Sequence, residues 1–411
     1  MKAFFELPKQ LQWRLELSFL SVILGSAIFP FMSMYYVGYF GAFITGILVI
    51  VTQVCSFFAI LYGGHLADSI GRKKVADLGN LGVVFGYILT LFANIPGHVK
   101  PMWTFVGIFI VEIMSNFNNP AYSAMIIDLT DEGNRRYVYT INYWLLNVAV
   151  MLGSGIAGAF YDHHFFELLL AMTGIALFTY LIMRFKFTET RPDDFVFEHG
   201  KGILSTFANY SDVVKDRAFM VYTAGTILFA SVWAQIDNYL AVHYKTVYQP
   251  ETLFGVEVTG AKLLSLTVLI NTIMIVLFMT TANRLTRQMK LIPQLVLGSV
   301  IFASGLFSAF TFKSLLPILF SAVVYTIGEM INVPASQVLR AQMMDDNKIG
   351  SYSGFISIAQ PLGIVLAGGM VSLSQFTGLL GVQLVFILVA TAGIFLVVKA
   401  AKMHDRRSSS R

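Results

Sequence analysis

Three carboxylates stand inside long apolar runs of this chain: Glu112, Asp237 and Glu329. An ionisable side chain at mid-membrane costs at least about 2.5 kcal/mol and by default marks an ion or substrate pathway. Low-dielectric surroundings favour the neutral form of any carboxylic acid. Such a group can take up a proton on one side of a membrane and release it on the other as its hydration changes. Glu329 lies roughly fifteen residues into its run, which at ~1.5 Å per residue is well inside, and its run holds no basic neighbour. Asp237 sits nearer an end and is followed by Asn238 and Tyr239. The plainer reading of each acid is a paired contact between helices, and it weighs most on Glu112. Amides add polar handles at Asn116, Asn118, Asn119, Asn147, Gln235, Asn271, Asn332 and Gln360. Interhelical hydrogen bonds of about 0.6–2 kcal/mol each account for many of them. Asn116, Asn119, Asn147, Trp233 and Asn271 are the candidates to line a cavity.

The elements that must hold these groups follow from composition. Of 411 residues, 56% are hydrophobic and 12% charged, with mean hydropathy +0.70. Soluble domains carry about 25% charged residues, so this is a membrane protein. At about 20 residues per span, twelve apolar runs are expected near 14–36, 41–63, 75–95, 102–127, 136–160, 166–187, 217–242, 260–282, 291–312, 315–334, 350–374 and 377–399. The expected fold is an all-α membrane protein of two pseudo-symmetric six-helix bundles, 1–187 and 217–411. A cytoplasmic linker, 188–216, joins them, and its later part could form a short interfacial helix. The net charge of +5 does not point to nucleic acid. Of 28 Lys and Arg, all but Lys100, Lys245, Lys262 and Lys313 fall at the N-terminus, in alternate loops or in the C-terminal tail. Basic residues favour the cytoplasmic side, so both termini are expected inside. The lone cysteine, Cys55, lies within a span and allows no intrachain disulfide.

Between the second and third runs stands Gly64-His65-Leu66-Ala67-Asp68-Ser69-Ile70-Gly71-Arg72-Lys73-Lys74. Gly64 and Gly71 permit close approach and tight turning, while Asp68 and Arg72 place fixed charges at the water boundary. An offset of 214 brings Pro120-Ala121 onto Pro334-Ala335 and Asp131-Glu132 onto Asp345-Asp346. One residue more brings Asp68–Arg72 onto Asn283–Arg287. A duplicated six-span unit is a transporter signature, with substrate bound near the midplane.

The 64–74 stretch resembles the signature loop between helices 2 and 3 of the major facilitator superfamily, with Ser69 in place of the usual basic residue. The whole chain resembles that superfamily's multidrug/proton antiporters from lactococci and related Gram-positive bacteria. The residues that carry the likeness include Tyr35-Tyr36, Ala42-Phe43-Ile44-Thr45-Gly46-Ile47-Leu48, Asn94-Ile95-Pro96-Gly97-His98-Val99, Ala124-Met125-Ile126-Ile127-Asp128, Asp237-Asn238, Asn283-Arg284-Leu285-Thr286, Val324-Tyr325-Thr326-Ile327-Gly328-Glu329 and Ile349-Gly350-Ser351-Tyr352.

The resemblance implies that Asp237 and Glu329 handle protons and cationic drugs. Asn142 occupies the position of a helix 5 carboxylate and cannot carry a proton at neutral pH. The family's late acidic position in helix 12 falls near Ala390. Glu112 could be a relocated protonation site. Gly64, Asp68, Gly71, Arg72 and Asp128 form the implied cytoplasmic latch, facing the start of helix 11 near Gly350-Ser351. Gly153-Ser154-Gly155-Ile156-Ala157-Gly158 resembles an antiporter motif that has lost its proline. The function expected is proton-coupled efflux of amphiphilic or cationic compounds by alternating access. Its rival is a uniporter or proton symporter for a defined nutrient or lipid-like metabolite. The expected partners are small-molecule substrate, protons and the lipid bilayer, with the protein a monomer. A membrane enzyme finds no His-Glu-x-x-His, Gly-x-Ser-x-Gly or phosphate-binding motif. No cofactor is expected, and no metal either, since His163-His164 beside Asp162 read as solvated loop residues.

Overall fold

The computed structural model describes residues 2–131, 133–191, 211–345 and 348–408. Lipid offers backbone groups no hydrogen bonds, so apolar runs of this length close theirs internally as helices. Among the described residues, eight helices are long and apolar enough to cross a membrane. Two of them are double. Lys9–Ile70 is 62 residues long and is broken at Gly41 (φ 77°), while Ala359–Ser408 is 50 residues long and is broken at Gly378 (φ 62°). Both breaks sit in the left-handed region that glycine adopts without steric cost. With Pro101–Asp128 and the broken helix at 217–246, twelve passes result. The structure is the all-α, multi-pass fold expected.

The chain divides into two compact units, Met1–Phe31 with Val54–Ile203 and Met32–Gln53 with Leu204–Arg411. Much of the expected linker, 192–210, lies outside the described residues, and Ser211–Lys215 is a short helix. In the second unit, Phe43 N–H donates to Gln375 Oε1 at 2.8 Å and Ser372 Oγ donates to the Phe43 carbonyl at 2.9 Å. These bonds tie the start of span 2 to span 11.

The sequence repeat appears in the helices themselves. Spans 4 and 10, Pro101–Asp128 and Leu315–Gln342, are both 28 residues, start 214 residues apart, and enclose Pro120 and Pro334 at matching positions. Span 10 therefore runs past the end expected at 334. Proline removes one ladder hydrogen bond, but here it does not end either helix. Buried amides occupy the same place in both. The Asn118 amide, in the orientation that satisfies both its atoms, donates to the Val75 carbonyl at 3.1 Å and accepts from Asn80 N–H at 3.2 Å, and Asn332 Nδ2 donates to Ser299 Oγ at 2.7 Å.

Span 7 departs most from expectation. Its helix stops at Trp233, turns through 234–238, and resumes as Tyr239–Thr246. Beyond it comes a small antiparallel hairpin, β1 (Glu251–Leu253) and β2 (Val256–Val258), turning at Phe254-Gly255 with both φ positive. Glu251 Oε1 accepts from Leu315 N–H at 3.0 Å, so the hairpin caps the first turn of span 10.

Candidate functional site

In the second unit, spans 9 and 10 cross where glycines leave no room for a Cβ. Gly298 meets the Asn332 backbone, Gly305 meets Tyr325, and Gly328 meets Phe302. Residues 325, 328 and 332 therefore face span 9. One residue on, about 100° round the helix, Glu329 turns to span 8. There Asn271 Nδ2 donates to Glu329 Oε2 at 2.6 Å and lies 3.2 Å from Thr326 Oγ1. The acid is half-buried and the amide orients it.

Asp237 sits within the break of span 7, where it is the exposed residue between half-buried Ile236 and buried Asn238. Leu240 N–H reaches back to the Gln235 carbonyl at 2.8 Å, and Asn238 Nδ2 donates to the Ala234 carbonyl at 2.7 Å. An amide side chain thus supplies a donor in the interrupted ladder. Irregular backbone at membrane depth is tolerated only where protein or a water-lined cavity satisfies it, and transporters place their ion and substrate sites at such breaks. Buried Tyr325 packs edge-on to Phe302, with ring centroids 6.2 Å apart. Trp233, at the last turn before the break, stacks on Phe302 with centroids 4.3 Å apart. Trp233 thus packs on the span 9–10 crossing that also carries Glu329, the partner of Asn271, and Asp237 follows it in the break.

The first unit holds the remaining polar candidates. Along span 4, Asn119 Nδ2 lies 3.4 Å from Asn116 Oδ1, and Asn116 Nδ2 donates to the Glu112 carbonyl at 3.0 Å. Glu112 is half-buried on the same helix. On span 5, Asn147 Nδ2 donates to the Tyr143 carbonyl at 2.8 Å. Asn142 Oδ1 is buried without a hydrogen-bond partner. Gly153 of span 5 has no room for a Cβ against Ser26 and Ile23 of span 1, so that position of the small-residue run is a packing contact, while Gly155 faces open space.

At the end of span 2 the helix runs on to Ile70, and span 3 starts at Arg72, leaving Gly71 (φ 110°) as the hinge. Arg72 is buried. Its Nε lies 3.2 Å from Asp128 Oδ2 and its Nη1 3.5 Å from Asp68 Oδ1. The tightest approach to span 4 falls on Gly63, whose Cβ would strike the Phe117 carbonyl; at Gly64 a Cβ would meet Pro120 at an ordinary 3.5 Å.

Sequence reasoning missed what completes this cluster. Glu189 Oε1 accepts from Arg72 N–H at 2.9 Å and Oε2 accepts from Lys73 N–H at 3.3 Å, capping the start of span 3. Thr190 Oγ1 donates to Asp128 Oδ2 at 3.1 Å, and Arg191 Nη1 donates to the Asp68 and Ser69 carbonyls at 2.9 and 3.1 Å. A carboxylate at a helix N-terminus is favourable by about 0.3–1 kcal/mol. One signal was present. Six spans return the chain to the side where it began, so 188–191 shares a face with the 64–74 loop. Tyr325, too, carried no distinguishing sequence signal among 18 tyrosines.

The crossing predicts a packing effect. Gly328→Val forces spans 9 and 10 apart, at about 1–3 kcal/mol for overpacking, and displaces Glu329 from Asn271. The checks are a thermal-unfolding measurement in detergent and a transport assay on the same preparation.

Comparison with known proteins places the chain among transporters. The profile of the Major Facilitator Superfamily matches residues 17–368. A Na(+), Li(+), K(+)/H(+) antiporter of Planococcus maritimus is 26% identical over 368 residues, covering 85% of this chain and 86% of that protein. The multidrug resistance protein MdtH of Yersinia enterocolitica is 22% identical over 367 residues, covering 85% and 82%. Among solved structures, a POT family transporter in complex with 5-aminolevulinic acid aligns with a TM-score of 0.73 at 16% identity, over 97% of this chain and 96% of that one. The nucleoside transporter NupG aligns at 0.72 and 13% identity, over 96% and 99%. At those identities the likeness speaks to fold alone.

Proposed function

The chain belongs to the major facilitator superfamily and is a multi-pass secondary transporter, and from that premise we propose that it exports amphiphilic cations in exchange for protons. The observation that carries the reading is the Asn271–Glu329 hydrogen bond of 2.6 Å, an oriented acid deep in an apolar helix, beside the break that holds Asp237. A carboxylate here serves two ligands in turn. Protonated, it is neutral and compatible with its apolar surroundings; deprotonated, it attracts a cation. Competition between proton and cation for one acid is sufficient for antiport, because each ligand releases the other. Half-buried Trp233, backed by buried Phe302, supplies an aromatic face of the kind that attracts organic cations, worth about 0.5–2 kcal/mol.

In this reading Asn271 orients Glu329, and Asp237 provides the second charge. Glu112, Asn116, Asn119, Asn142 and Asn147 are the polar positions of the first unit in this reading. Gly64, Asp68, Gly71, Arg72 and Asp128, now with Glu189, form the cytoplasmic latch. The protein acts as a monomer in a bacterial cell membrane with both termini inside. A second reading keeps the same acids and changes the cation. The relative from Planococcus is named as a Na(+), Li(+), K(+)/H(+) antiporter, and a broken helix with a carboxylate suits an alkali ion as well.

The purified protein in liposomes tests both. With a pH gradient imposed, ethidium or tetraphenylphosphonium accumulates against its concentration, and collapse of the gradient with a protonophore stops it. Sodium-driven or sodium-competed proton flux in the absence of organic cations selects the alkali-ion reading. Uptake of a nutrient down its own gradient, indifferent to pH, points instead to the uniporter alternative.

A further inference from the structure

In the second unit, span 9 (Leu291–Thr311) and span 12 (the part of Ala359–Ser408 beyond Gly378) adjoin at both ends. At one end Gln383 Nε2 donates to Thr311 Oγ1 at 2.8 Å. At the other, Leu295 shares a buried cluster with Val397, Ala400 and Ala401, and Leu291, Ile292 and Met403 pack against it. Each helix turns an apolar stripe outward. On span 12 Leu384, Leu388 and Phe395 are 69%, 70% and 62% exposed, and steps of four and seven residues keep them on one face. On span 9 the exposed residues Pro293, Leu297 and Val300 repeat the pattern. Side chains this large and this exposed meet acyl chains when the helices cross a membrane.

Both stripes end in lysine, and they do so at the same end of the unit. Lys399 stands four residues beyond Phe395, Lys402 three beyond that, and both are exposed. Lys290 stands exposed three residues before Pro293, at the N-cap of span 9. A cation there is opposed by the helix dipole, and the first turn of span 9 carries neither an acid nor a side-chain cap. Among the described residues, none of the three lysines has a carboxylate within ion-pair distance. Topology alone favours basic residues at a cytoplasmic end. It does not require that they close two adjoining lipid-facing stripes with no acid to answer them. From Leu384 to Lys399 the helix rises about 22 Å, more than half of a hydrocarbon core of about 30 Å. The stripe is therefore long enough for the acyl chains of one leaflet, with the lysines at headgroup level.

We propose that this face of spans 9 and 12 binds an anionic phospholipid, its phosphate held by Lys290, Lys399 and Lys402 and its chains laid along the two stripes. Charge complementarity selects the lipid. Three ammonium groups without carboxylate partners meet a phosphate diester, whereas a zwitterionic headgroup would bring a cation of its own to them. An ammonium binds phosphate as a point charge on a flexible stem, which suits a headgroup that is not rigidly held. A free phosphate leaves both stripes unengaged. In the orientation proposed above, the lysines meet the cytoplasmic leaflet, whose surface potential is negative. The site is independent of which substrate the protein carries.

The purified protein in dodecyl maltoside is titrated with phosphatidylglycerol or phosphatidylcholine. Bound lipid is counted by native mass spectrometry, and the apparent melting temperature is followed in parallel. Wild type is expected to hold phosphatidylglycerol at least fivefold more tightly than phosphatidylcholine. The triple variant Lys290→Gln, Lys399→Gln, Lys402→Gln should lose that preference while keeping the melting temperature of the lipid-free wild type. A control of equal charge loss in the first unit, Lys73→Gln with Lys74→Gln and Lys186→Gln, should retain it. Equal binding of the two lipids by wild type, or a preference that survives in the triple variant, overturns the site. An equal loss in the control overturns it in favour of adsorption by net charge. Displacement of the lipid by inorganic phosphate overturns it as well, since the ligand is then a free anion.

Discussion

Glu329→Gln abolishes gradient-driven transport, by at least a hundredfold, while leaving a folded protein that still exchanges substrate down its gradient. Gln matches Glu in shape, and its carbonyl oxygen still accepts from Asn271, whose Nδ2 lies 2.6 Å away. The hydrogen bond weakens by about 1 kcal/mol on losing a charged partner, which is too little to unfold a twelve-pass helical protein. What disappears is the exchangeable proton. Binding of an organic cation loses one of its two nearby charges, Asp237 remaining, and the pH dependence of transport flattens. Asp237→Asn is expected to weaken cation binding more than it weakens proton coupling, because Asp237 is the exposed acid of the pair. The measurement is ethidium efflux against pH gradients of varied size. A Glu329→Gln protein whose rate still follows the gradient would sink the assignment.

Arg72→Ala carries the largest expected stability effect. The Arg72 and Asp128 side chains are 7% and 11% exposed and 3.2 Å apart. Removing one partner of a buried pair typically costs about 3–5 kcal/mol, because the other charge stays buried alone. Thr190 still donates to Asp128 and Glu189 still caps span 3, which holds the loss to that range. Asp68, 48% exposed at 3.5 Å, is worth little by comparison, about 0–1 kcal/mol. Arg72→Lys rescues poorly, since one ammonium cannot serve two carboxylates as a planar guanidinium does. Arg72→Ala with Asp128→Ala recovers part of the loss. The apparent melting temperature in detergent, with the double variant above the Arg72→Ala single, checks this. Equal destabilisation by Asp68→Ala and Arg72→Ala would place the stabilising contact at the surface instead.

Much of this architecture was legible because membranes restrict structure so severely. Apolar runs of the right length had to be helices. The offset of 214 that paired Pro120 with Pro334 reappears as two helices of equal length with prolines at matching positions. The acids were legible for the same reason, since a charge in an apolar run has few innocent explanations. The break at 234–238 was not. Its residues, 234–238, include no glycine or proline, and it exists because Asn238 and the Gln235 carbonyl satisfy the backbone from within. The fold-back of Glu189 was also hidden. Its partners are backbone N–H groups freed by the turn at Gly71, which leave no mark on composition.

The claim that one acid alternates between proton and cation is tested most directly by proton release on binding. Tetraphenylphosphonium is added to the purified protein in weakly buffered detergent solution with a pH indicator. The account predicts acidification in the wild-type protein, its loss in Glu329→Gln, and saturation at the same concentrations as binding. Binding that saturates without releasing protons, or release that persists unchanged in both Glu329→Gln and Asp237→Asn, would contradict it.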